Sequence, residues 1–482
     1  MTTPDAVEFL NSFLNYEQIT AYQYPGAFSL DRMEKLLTAL GNPHRAYPVL
    51  HVAGTKGKGS TCAFAASILS AAGLKTGLYT SPHLISFPER IRVDGQPISE
   101  QDLAQAVERL RPFAGKDLTF FEVTTACAFL HFQQAGVEAA VIEVGLGGRL
   151  DATNLVQPEV AAIMPISLDH MPKLGNTLAQ IAREKAGILK RGVPTVIAPQ
   201  AEEALQIIEE TAALRGAELH RVDREVRIES AEISLSGSSA TFQTPVRSYA
   251  GLRIPLLGRH QLANAAAAIR MMELLSQRRP DLQITEQAVR EGIARTEWAG
   301  RCQIIPGEPP LLLDGAQNAE SARALKAAVG ELFPGRKISL VVGASQEKDL
   351  EGMARVWGPW ADRIFLTQAG APRAESSGRL REVFIPFHPS VALAGSVEEA
   401  LQRAVEEAGP GGLVVVTGSL FIVGEALQRV CAGDAAGRGP LRSARTRSGS
   451  RHRKGRATGR APSSLRSGPG TAQWLLPGCP IR

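Results

Sequence analysis

Short apolar, β-prone runs alternate with segments of helical length along most of the chain. The first two runs, Tyr47–Val52 and Lys75–Thr80, flank an apolar segment at Cys62–Ala72 that is followed by a glycine. Two further runs, Val137–Val144 and Glu159–Met164, have the same character. Strands that alternate with helices form parallel sheets, because a parallel pair of strands needs a crossover connection. The pattern predicts an α/β fold with a mainly parallel sheet in the first part of the chain.

A second alternation follows a small antiparallel segment predicted at Glu225–Leu256. It predicts, in order, strand Leu311–Asp314, helix Ala319–Leu332, strand Ile338–Gly343, helix Leu350–Trp357, strand Arg363–Thr367, helix Val397–Ala408, strand Leu413–Gly418 and helix Phe421–Val430. We therefore expect two α/β domains, residues 1–298 with the larger sheet and residues 299–432 with a smaller, Rossmann-like arrangement. Residues 433–482 are expected to form a basic, disordered tail.

The composition is that of a soluble globular protein, with 44% hydrophobic and 21% charged residues. No run of about eighteen apolar residues occurs, so we expect no membrane span. The first residues lack the basic and apolar regions of a signal peptide. Five scattered cysteines without metal-type spacing suit a reducing compartment. These features predict a cytoplasmic protein.

The formal net charge of +5 originates in the tail. Residues 438–482 contain eleven Lys and Arg and no Asp or Glu, so the rest of the chain carries −6, which is +5 less 11. A basic tail alone is weak support for nucleic-acid binding. We therefore expect small-molecule partners and no nucleic acid.

The segment between the first strand and the first long helix is glycine-rich, with the sequence Ala-Gly-Thr-Lys-Gly-Lys-Gly-Ser-Thr at residues 53–61. Glycines let backbone N–H groups converge at a helix N-terminus, where the helix dipole favours an anion. Lys58 adds a positive charge, and the hydroxyl of Ser60 or Thr61 can reach a magnesium ion. The strict P-loop spacing is not met, because Gly59 separates Lys58 from Ser60. The segment indicates a nucleoside triphosphate site, with a glycine-rich turn that binds no ligand as the alternative.

Polar residues occur at or near the ends of the predicted strands. Glu143 lies inside an apolar run, where a carboxylate is costly unless it is paired or bound to a metal. His170 follows a strand, and Asp314 begins a strand-to-helix turn. Parallel sheets bind ligands at the carboxyl ends of their strands, so these residues are candidates for a site. The aromatic loop Tyr22–Phe28 is either a surface turn or one wall of a pocket for a planar ligand.

Lys185 lies near the apolar stripe of a helix predicted at Asn176–Lys190. Gly187 is expected to leave room beside this lysine. Two alternatives remain open from the residues alone, a solvated lysine and a lysine drawn into a site.

Seven segments together resemble the folylpolyglutamate synthase/dihydrofolate synthase family of the Mur ligase superfamily. They are Gly54–Ser60, Thr80–Leu84, Glu143–Asn154, Leu168–His170, Arg183–Ile188, Asp314–Asn318 and Gly418–Leu420. They run in the family's order over roughly residues 20–430. A series of motifs is far more specific than any one of them, so the ligand-free turn is no longer a serious alternative for the glycine loop.

The resemblance implies an ATP-dependent ligase that adds L-glutamate to a folate, as in tetrahydrofolate polyglutamylation, and also to dihydropteroate. Mg-ATP would phosphorylate the free carboxylate, and the amino group of glutamate would then displace phosphate from the acyl phosphate. ATP is then a co-substrate, and two magnesium sites and a carbamylated lysine are implied. The implied fold is a P-loop-type ATPase domain followed by a Rossmann-like domain, and we expect a monomer.

The resemblance also implies roles for individual residues. The implied catalytic positions are Lys58, His170, Lys185 and Asp314. The implied ATP-binding positions are Gly54, Thr55, Gly57, Lys58, Gly59, Ser60, Thr61, Asn264, Arg301 and Asp314. The implied metal positions are Ser60, Ser81, Glu143, His170 and Lys185, the last when carbamylated. The implied positions for the pterin-bearing substrate are Phe121, Glu122, Thr124, Arg149, Leu150, Asp151 and Ala152.

Three positions depart from the family's pattern. Lys56 stands where Asn is usual, which adds charge to the loop. Ala299 replaces a proline, so the connection between the domains is expected to be less stiff. Gln317 replaces a histidine, and Gln cannot titrate near neutral pH. A proton transfer at that position would need another group.

Two other functions are alternatives to this one. A Mur-type ligase acting on a UDP-muramoyl peptide would usually add an N-terminal UDP-binding domain, whereas the glycine loop begins here at residue 54. A non-catalytic ATP-binding regulator would not need the second metal site to which Glu143, His170 and Lys185 point.

Overall fold

Parallel strands and crossover helices make up most of the structure. The computed structural model describes residues 3–19 and 28–435. The predictions for the loop Tyr22–Phe28, apart from its last residue, and for the tail beyond residue 435 lie outside the described residues. Within them, the strands form an eight-stranded, a three-stranded and a six-stranded sheet.

The strands have the following bounds: β1 (Val49–Ala53), β2 (Thr76–Tyr79), β3 (Ile91–Val93), β4 (Gln96–Pro97), β5 (Ala139–Glu143), β6 (Val160–Ile163), β7 (Pro194–Ile197), β8 (Glu218–Arg221), β9 (Arg227–Ser234), β10 (Gly237–Gln243), β11 (Ser248–Ile254), β12 (Gln303–Ile305), β13 (Leu311–Leu313), β14 (Ile338–Val342), β15 (Arg363–Leu366), β16 (Val391–Leu393) and β17 (Leu413–Thr417).

The helices have the following bounds: α1 (Thr3–Asn11), α2 (Leu30–Ala39), α3 (Lys58–Ala71), α4 (Glu100–Leu110), α5 (Phe120–Gln134), α6 (Met171–Leu174), α7 (Leu178–Lys185), α8 (Glu202–Arg215), α9 (Val222–Glu225), α10 (Arg259–Arg278), α11 (Glu286–Arg295), α12 (Ala319–Leu332), α13 (Leu350–Trp357), α14 (Ser377–Phe384), α15 (Val397–Ala408) and α16 (Leu420–Ala435).

The large sheet has the strand order β4-β3-β2-β5-β1-β6-β7-β8. Its strands from β2 to β8 in that order are parallel, and β3 and β4 extend it as antiparallel strands. In the register of the sheet, Val52 lies opposite Glu143, and Ala53 lies opposite Ile163. The segments that follow β1, β5 and β6 therefore meet at one edge of the sheet, which is where parallel sheets bind ligands.

Helix α3 is enclosed between the large sheet and helices α10 and α11. Residues 62–66 of α3 and the alanine run Ala265–Ala268 of α10 are buried. A helix that is apolar on all sides is stable only when it is covered on all sides. The small side chains of both helices allow close packing. Because α3 begins at the glycine loop, this packing fixes where the loop ends.

The six-stranded sheet has the order β12-β13-β17-β14-β15-β16, and only β12 is antiparallel to its neighbour. The three-stranded sheet is antiparallel, with β10 in the centre. The predicted α/β fold with two mainly parallel sheets is confirmed. No helix in the described part of the chain combines the length and apolar character needed to cross a bilayer.

The predicted helix Asn176–Lys190 was too long. Helix α7 ends at Lys185 and is followed by a short 3-10 turn at Ala186–Ile188. The start is set by Thr177, whose hydroxyl accepts the Gln180 N–H while the Gln180 side chain accepts the Thr177 N–H.

The prediction also omitted β3, β4, β12, β16, α6, α11 and α14. The four strands have two or three residues each. Such short strands leave almost no periodic signal in the sequence.

His51 supplies a pH-dependent contribution to stability. It lies in β1 with no exposed surface, and its Nε2 is 2.9 Å from the Thr153 hydroxyl oxygen. Burial, with a smaller effect of Lys190, lowers the pKa of His51 from 6.5 to about 3. The unfolded chain therefore binds a proton at His51 below about pH 6.5, whereas the folded chain does not. The contribution of His51 to the free energy of unfolding is fully present above that pH and is lost as the pH falls.

We predict that His51→Gln will flatten this dependence. Between about pH 7 and about pH 5.5, the wild-type protein should lose roughly 1 kcal/mol more of its free energy of unfolding than the variant loses. Urea denaturation of both proteins at the two pH values measures the difference. Carboxylates titrate in both proteins and cancel from the comparison. Parallel pH dependences would contradict the account.

Candidate active site

The glycine loop follows β1 and lies on the segment that follows β6. Gly54 has φ +142°, and a Cβ placed there would come within 2.7 Å of the Met164 Cβ. The N–H groups of Thr55 and Lys56 both donate to the Pro165 carbonyl, at 2.9 and 3.1 Å. The loop is therefore fixed through its own backbone.

Helix α3 begins immediately after the loop, with Gly57 at its N-cap position. Glycine has no side chain with which to cap the first turn, and the first turn contains no acidic residue. The N-terminal end of α3 therefore offers N–H groups and a positive dipole end to an anion. The Thr61 hydroxyl donates to the Met164 sulfur at 3.5 Å, which favours Ser60 as the hydroxyl directed at a phosphate or metal.

Lys58 and Glu143 face each other at the adjacent ends of α3 and β5. The Lys58 Nζ lies 3.7 Å from the Glu143 Oε1. The Ser81 N–H donates to the Glu143 Oε2 at 3.2 Å. Burial raises the pKa of Glu143, and the charges of Lys58 and Arg301 and the Ser81 N–H act in the opposite direction. Glu143 is thus the buried carboxylate that the sequence predicted, with a lysine as its partner.

Glu143, Ser60 and Ser81 supply oxygen donors of the kind that magnesium prefers. Magnesium in nucleotide sites is held by one or two carboxylates together with phosphates and water, and it needs no cage of protein ligands. In residues 3–19 and 28–435, no group of three or more His, Cys, Asp or Glu side chains forms such a cage. The residues present therefore fit a magnesium ion that is shared with a bound nucleotide.

His170 and its neighbour Asp169 lie at the end of the segment after β6. His170 has a left-handed backbone conformation, with φ +52°. Burial and the nearby Lys348 hold the pKa of His170 well below 6.5, so its imidazole is neutral and has a lone pair for a metal. Asp169 accepts hydrogen bonds from Lys56 at 3.2 Å and from Lys348 at 2.6 Å.

Lys185, at the end of α7, is buried and reaches under the glycine loop. Its Nζ donates to the Gly54 carbonyl at 2.8 Å. Burial and the charge of Lys58 lower the pKa of Lys185 to about 7. The lysine is thus drawn into the site, and the solvated alternative is wrong. The room left by Gly187 is taken by Arg149 and not by Lys185, because a Cβ at residue 187 would meet the Cβ and the backbone of Arg149.

Groups from beyond residue 257 complete the surroundings of the loop. The Asn264 side chain, on α10, lies directly against Gly57 and donates to the Gln261 Oε1 at 2.9 Å. Asp314 follows β13, and its two oxygens accept the N–H groups of Cys302 and Ala316, each at 2.9 Å. Arg301 packs against Gly315 in the same turn.

The residues predicted to hold the pterin-bearing substrate fall into two groups. The first group lies at the start of α5. The Glu122 carboxylate accepts the Thr119 N–H at 2.7 Å and two hydrogen bonds from Arg32 at 3.1 and 3.2 Å. The Thr124 hydroxyl donates to the Phe121 carbonyl at 3.1 Å. Glu122 thus caps its helix as well as lying at the predicted site.

The second group is the turn at residues 149–152. Arg149 pairs with Glu184 at 2.8 Å, and Asp151 accepts the Leu146 N–H at 2.9 Å. Leu150 is half-buried and Ala152 is buried. The ring of Phe121, from the first group, lies directly against Gly145, in the segment that leads from β5 to this turn.

Two further residues at the site were not predicted from the sequence. The Trp298 indole covers Gly59, where an added Cβ would come within 3.1 Å of the indole Nε1. Lys348 follows β14 and has only 5% of its side chain exposed. Lys348 could have been found, because it stands at the carboxyl end of a parallel strand like the other candidates.

Comparison with known proteins identifies the class. Residues 52–272 match the Mur ligase middle domain, and residues 300–420 match the Mur ligase glutamate ligase domain. The two matched regions contain the glycine loop and the Asp314 turn, respectively. The chain is therefore an ATP-dependent ligase of the Mur type.

Individual relatives show to which family of Mur ligases the chain belongs. The chain is 35% identical to a Bacillus subtilis dihydrofolate synthase/folylpolyglutamate synthase over 409 residues, which is 83% of this chain and 94% of the relative. It is 33% identical to a Lacticaseibacillus casei folylpolyglutamate synthase, over 87% of this chain and 100% of the relative. An E. coli structure described as FolC in complex with DHPP and ADP has a TM-score of 0.80 at 30% identity, covering 90% of this chain and 99% of that chain. The chain belongs to the folylpolyglutamate synthase/dihydrofolate synthase family.

We predict that Gly57→Ala will weaken ADP binding by about tenfold or more, because its Cβ would meet the Asn264 side chain, whose Cγ is 3.2 Å away. Gly73→Ala is the matched control. Gly73 has φ +84°, close to the +80° of Gly57, but has nothing within 4 Å of an added Cβ. Both variants carry left-handed strain and should lose similar thermal stability. Calorimetric titration with ADP tests the difference, and equal affinities would contradict it.

Proposed function

We propose that the protein joins L-glutamate to the free carboxylate of a folate at the expense of ATP. The observation that carries this proposal is the Lys58–Glu143 pair at the uncapped N-terminus of α3, with Arg301 close enough for its charge to act on Glu143. The names of the relatives, which are synthases of dihydrofolate and of folylpolyglutamates, support the choice of substrates. A UDP-muramoyl peptide ligase and a non-catalytic regulator are not favoured.

The chemistry requires charge stabilisation and positioning more than covalent participation by the protein. The folate carboxylate attacks the γ-phosphorus of ATP, and the bond to the β–γ bridging oxygen breaks, so that ADP leaves. The glutamate amino group then attacks the acyl carbon, phosphate leaves with its electron pair, and the nitrogen loses a proton. Lys58 and the N–H groups of the first turn of α3 would hold the phosphates throughout.

Two magnesium sites are part of the proposal. Glu143, Ser60 and Ser81 would hold one ion, which would neutralise phosphate charge when bound. His170 and a carbamylated Lys185 would hold the second ion. The pKa of about 7 for Lys185 supports carbamylation, because only a neutral amine adds to carbon dioxide.

The pterin-bearing substrate would lie against both groups of predicted substrate residues, which are Phe121, Glu122 and Thr124 at the start of α5 and Arg149–Ala152 in the turn. Asn264, Arg301 and Asp314 would contact the nucleotide. Residues 1–298 and 299–432 would be the two domains, and closure between them would complete the site. We further propose a monomeric, cytoplasmic enzyme that binds no nucleic acid.

We predict that the protein, supplied with Mg-ATP and glutamate, will add one glutamate to dihydropteroate and to tetrahydrofolate in parallel reactions. Mass spectrometry of the products measures this. Addition to tetrahydrofolate alone would restrict the activity to polyglutamylation, as in the name of the L. casei relative. Addition to neither acceptor, with ADP still bound, would contradict the folate assignment.

A further inference from the structure

The segment that follows β6, on which the glycine loop rests, is bonded to the side chain of Gln200, which lies outside the seven motifs. Gln200 follows β7 and is half-buried. Its Oε1 accepts the Ile166 N–H at 3.0 Å. Its Nε2 donates to the carbonyls of Ile163 and Met164, at 3.3 and 3.1 Å. One side chain thus ties three successive points of the segment that follows β6.

These three bonds fix the orientation of the amide. If the amide were rotated by 180°, its oxygen would face two carbonyl oxygens and its NH2 group would face an N–H. An aliphatic side chain of similar size could fill the space but could make none of the bonds. The Ile166 N–H and the Met164 carbonyl would lose their bonds to Gln200, whereas the Ile163 carbonyl would keep the Ala198 N–H at 3.0 Å.

The tied segment is the one on which the nucleotide loop rests. Pro165 accepts the N–H groups of Thr55 and Lys56, and the Thr55 hydroxyl donates to the Ser167 carbonyl at 3.3 Å and accepts the Ser167 N–H at 3.2 Å. Gly54 lies in contact with Met164. The loop's position is therefore set by residues 163–167. Backbone bonds with Ala53 and Ala198 hold the start of this segment, at Met164 and Ile163, and Gln200 ties that start to Ile166.

We propose that Gln200 is a positioning residue for nucleotide binding. It does not contact the nucleotide. It acts through the segment 163–167 to hold the glycine loop in the conformation that directs the free N–H groups at the start of α3 toward a phosphate. Small displacements of such a loop are costly to binding, because each N–H must point at the same anion. The inference rests on the proposed role of the loop and is independent of which acceptor is used.

The test compares Gln200→Leu with His388→Leu. His388 also ties two backbone groups, the Ala361 carbonyl at 3.0 Å from Nε2 and the Ser390 N–H at 2.9 Å from Nδ1. It lies near the start of β15, at the opposite edge of the six-stranded sheet from the Asp314 turn. The control therefore removes a buried side chain that also bonds two backbone groups but lies far from the glycine loop.

Calorimetric titration with ADP should show about a tenfold higher Kd for Gln200→Leu, equivalent to about 1.4 kcal/mol. His388→Leu should bind ADP as the wild-type protein does, although both variants lose thermal stability. In turnover, Gln200→Leu should raise the KM for ATP and leave the KM for glutamate unchanged. If Gln200→Leu does not fold, Gln200→Met, which has a similar length but no N–H group for the Ile163 and Met164 carbonyls, should show a comparable loss of affinity.

Unchanged ADP affinity in the folded Gln200 variant, together with reduced thermal stability, would overturn the inference and leave Gln200 a purely structural residue. Equal increases in the KM values for ATP and glutamate would also overturn it, because they would indicate a distortion of the whole site. A wild-type protein that does not bind ADP would overturn the proposed function and this inference together.

Discussion

The pairing of Lys58 with Glu143 is the interaction on which the site depends. Only 17% of the lysine side chain and 6% of the glutamate side chain are exposed. Burial of a charge is costly, and the raised pKa of Glu143 indicates that its partners do not fully offset that cost. The charge of Arg301 also acts on Glu143, so two cations, Lys58 and Arg301, lie near this one carboxylate. Two positive charges beside one carboxylate suit a polyphosphate and its metal.

The site is assembled from both parallel sheets. The large sheet supplies the glycine loop, the Lys58–Glu143 pair and the segment after β6. The six-stranded sheet supplies the Asp314 turn and Lys348, which pairs with Asp169. The Asn318 side chain also donates to the Ser167 hydroxyl at 3.4 Å. These bridges are polar, and contacts of that kind between parts of a chain separate more readily than large apolar interfaces. The proposed closure around substrates requires contacts of this kind.

The local parts of the site could be predicted from the sequence, because their signals are local. A strand, a glycine loop and an apolar helix follow one another within residues 49–71, and Glu143 stands out inside an apolar run. Lys348 could have been proposed from its place after a parallel strand, but its pairing with Asp169 could not, and neither could the contacts of Gln200 and Trp298. Each joins segments far apart in the chain, so it depends on packing that no short pattern encodes. Gly187 shows the opposite error, since its neighbour was inferred from sequence proximity and proved to be Arg149.

The most direct test of a ligase built around a charge-compensated nucleotide site is the rate of ADP release when substrates are omitted one at a time. The account predicts full release only when Mg-ATP, glutamate and a folate are all present, because the acyl phosphate must form on one substrate and be consumed by the other. Release at the full rate without any folate would identify a simple ATPase and contradict the account. Tight ADP binding without release under any condition would identify a binding protein and contradict it equally.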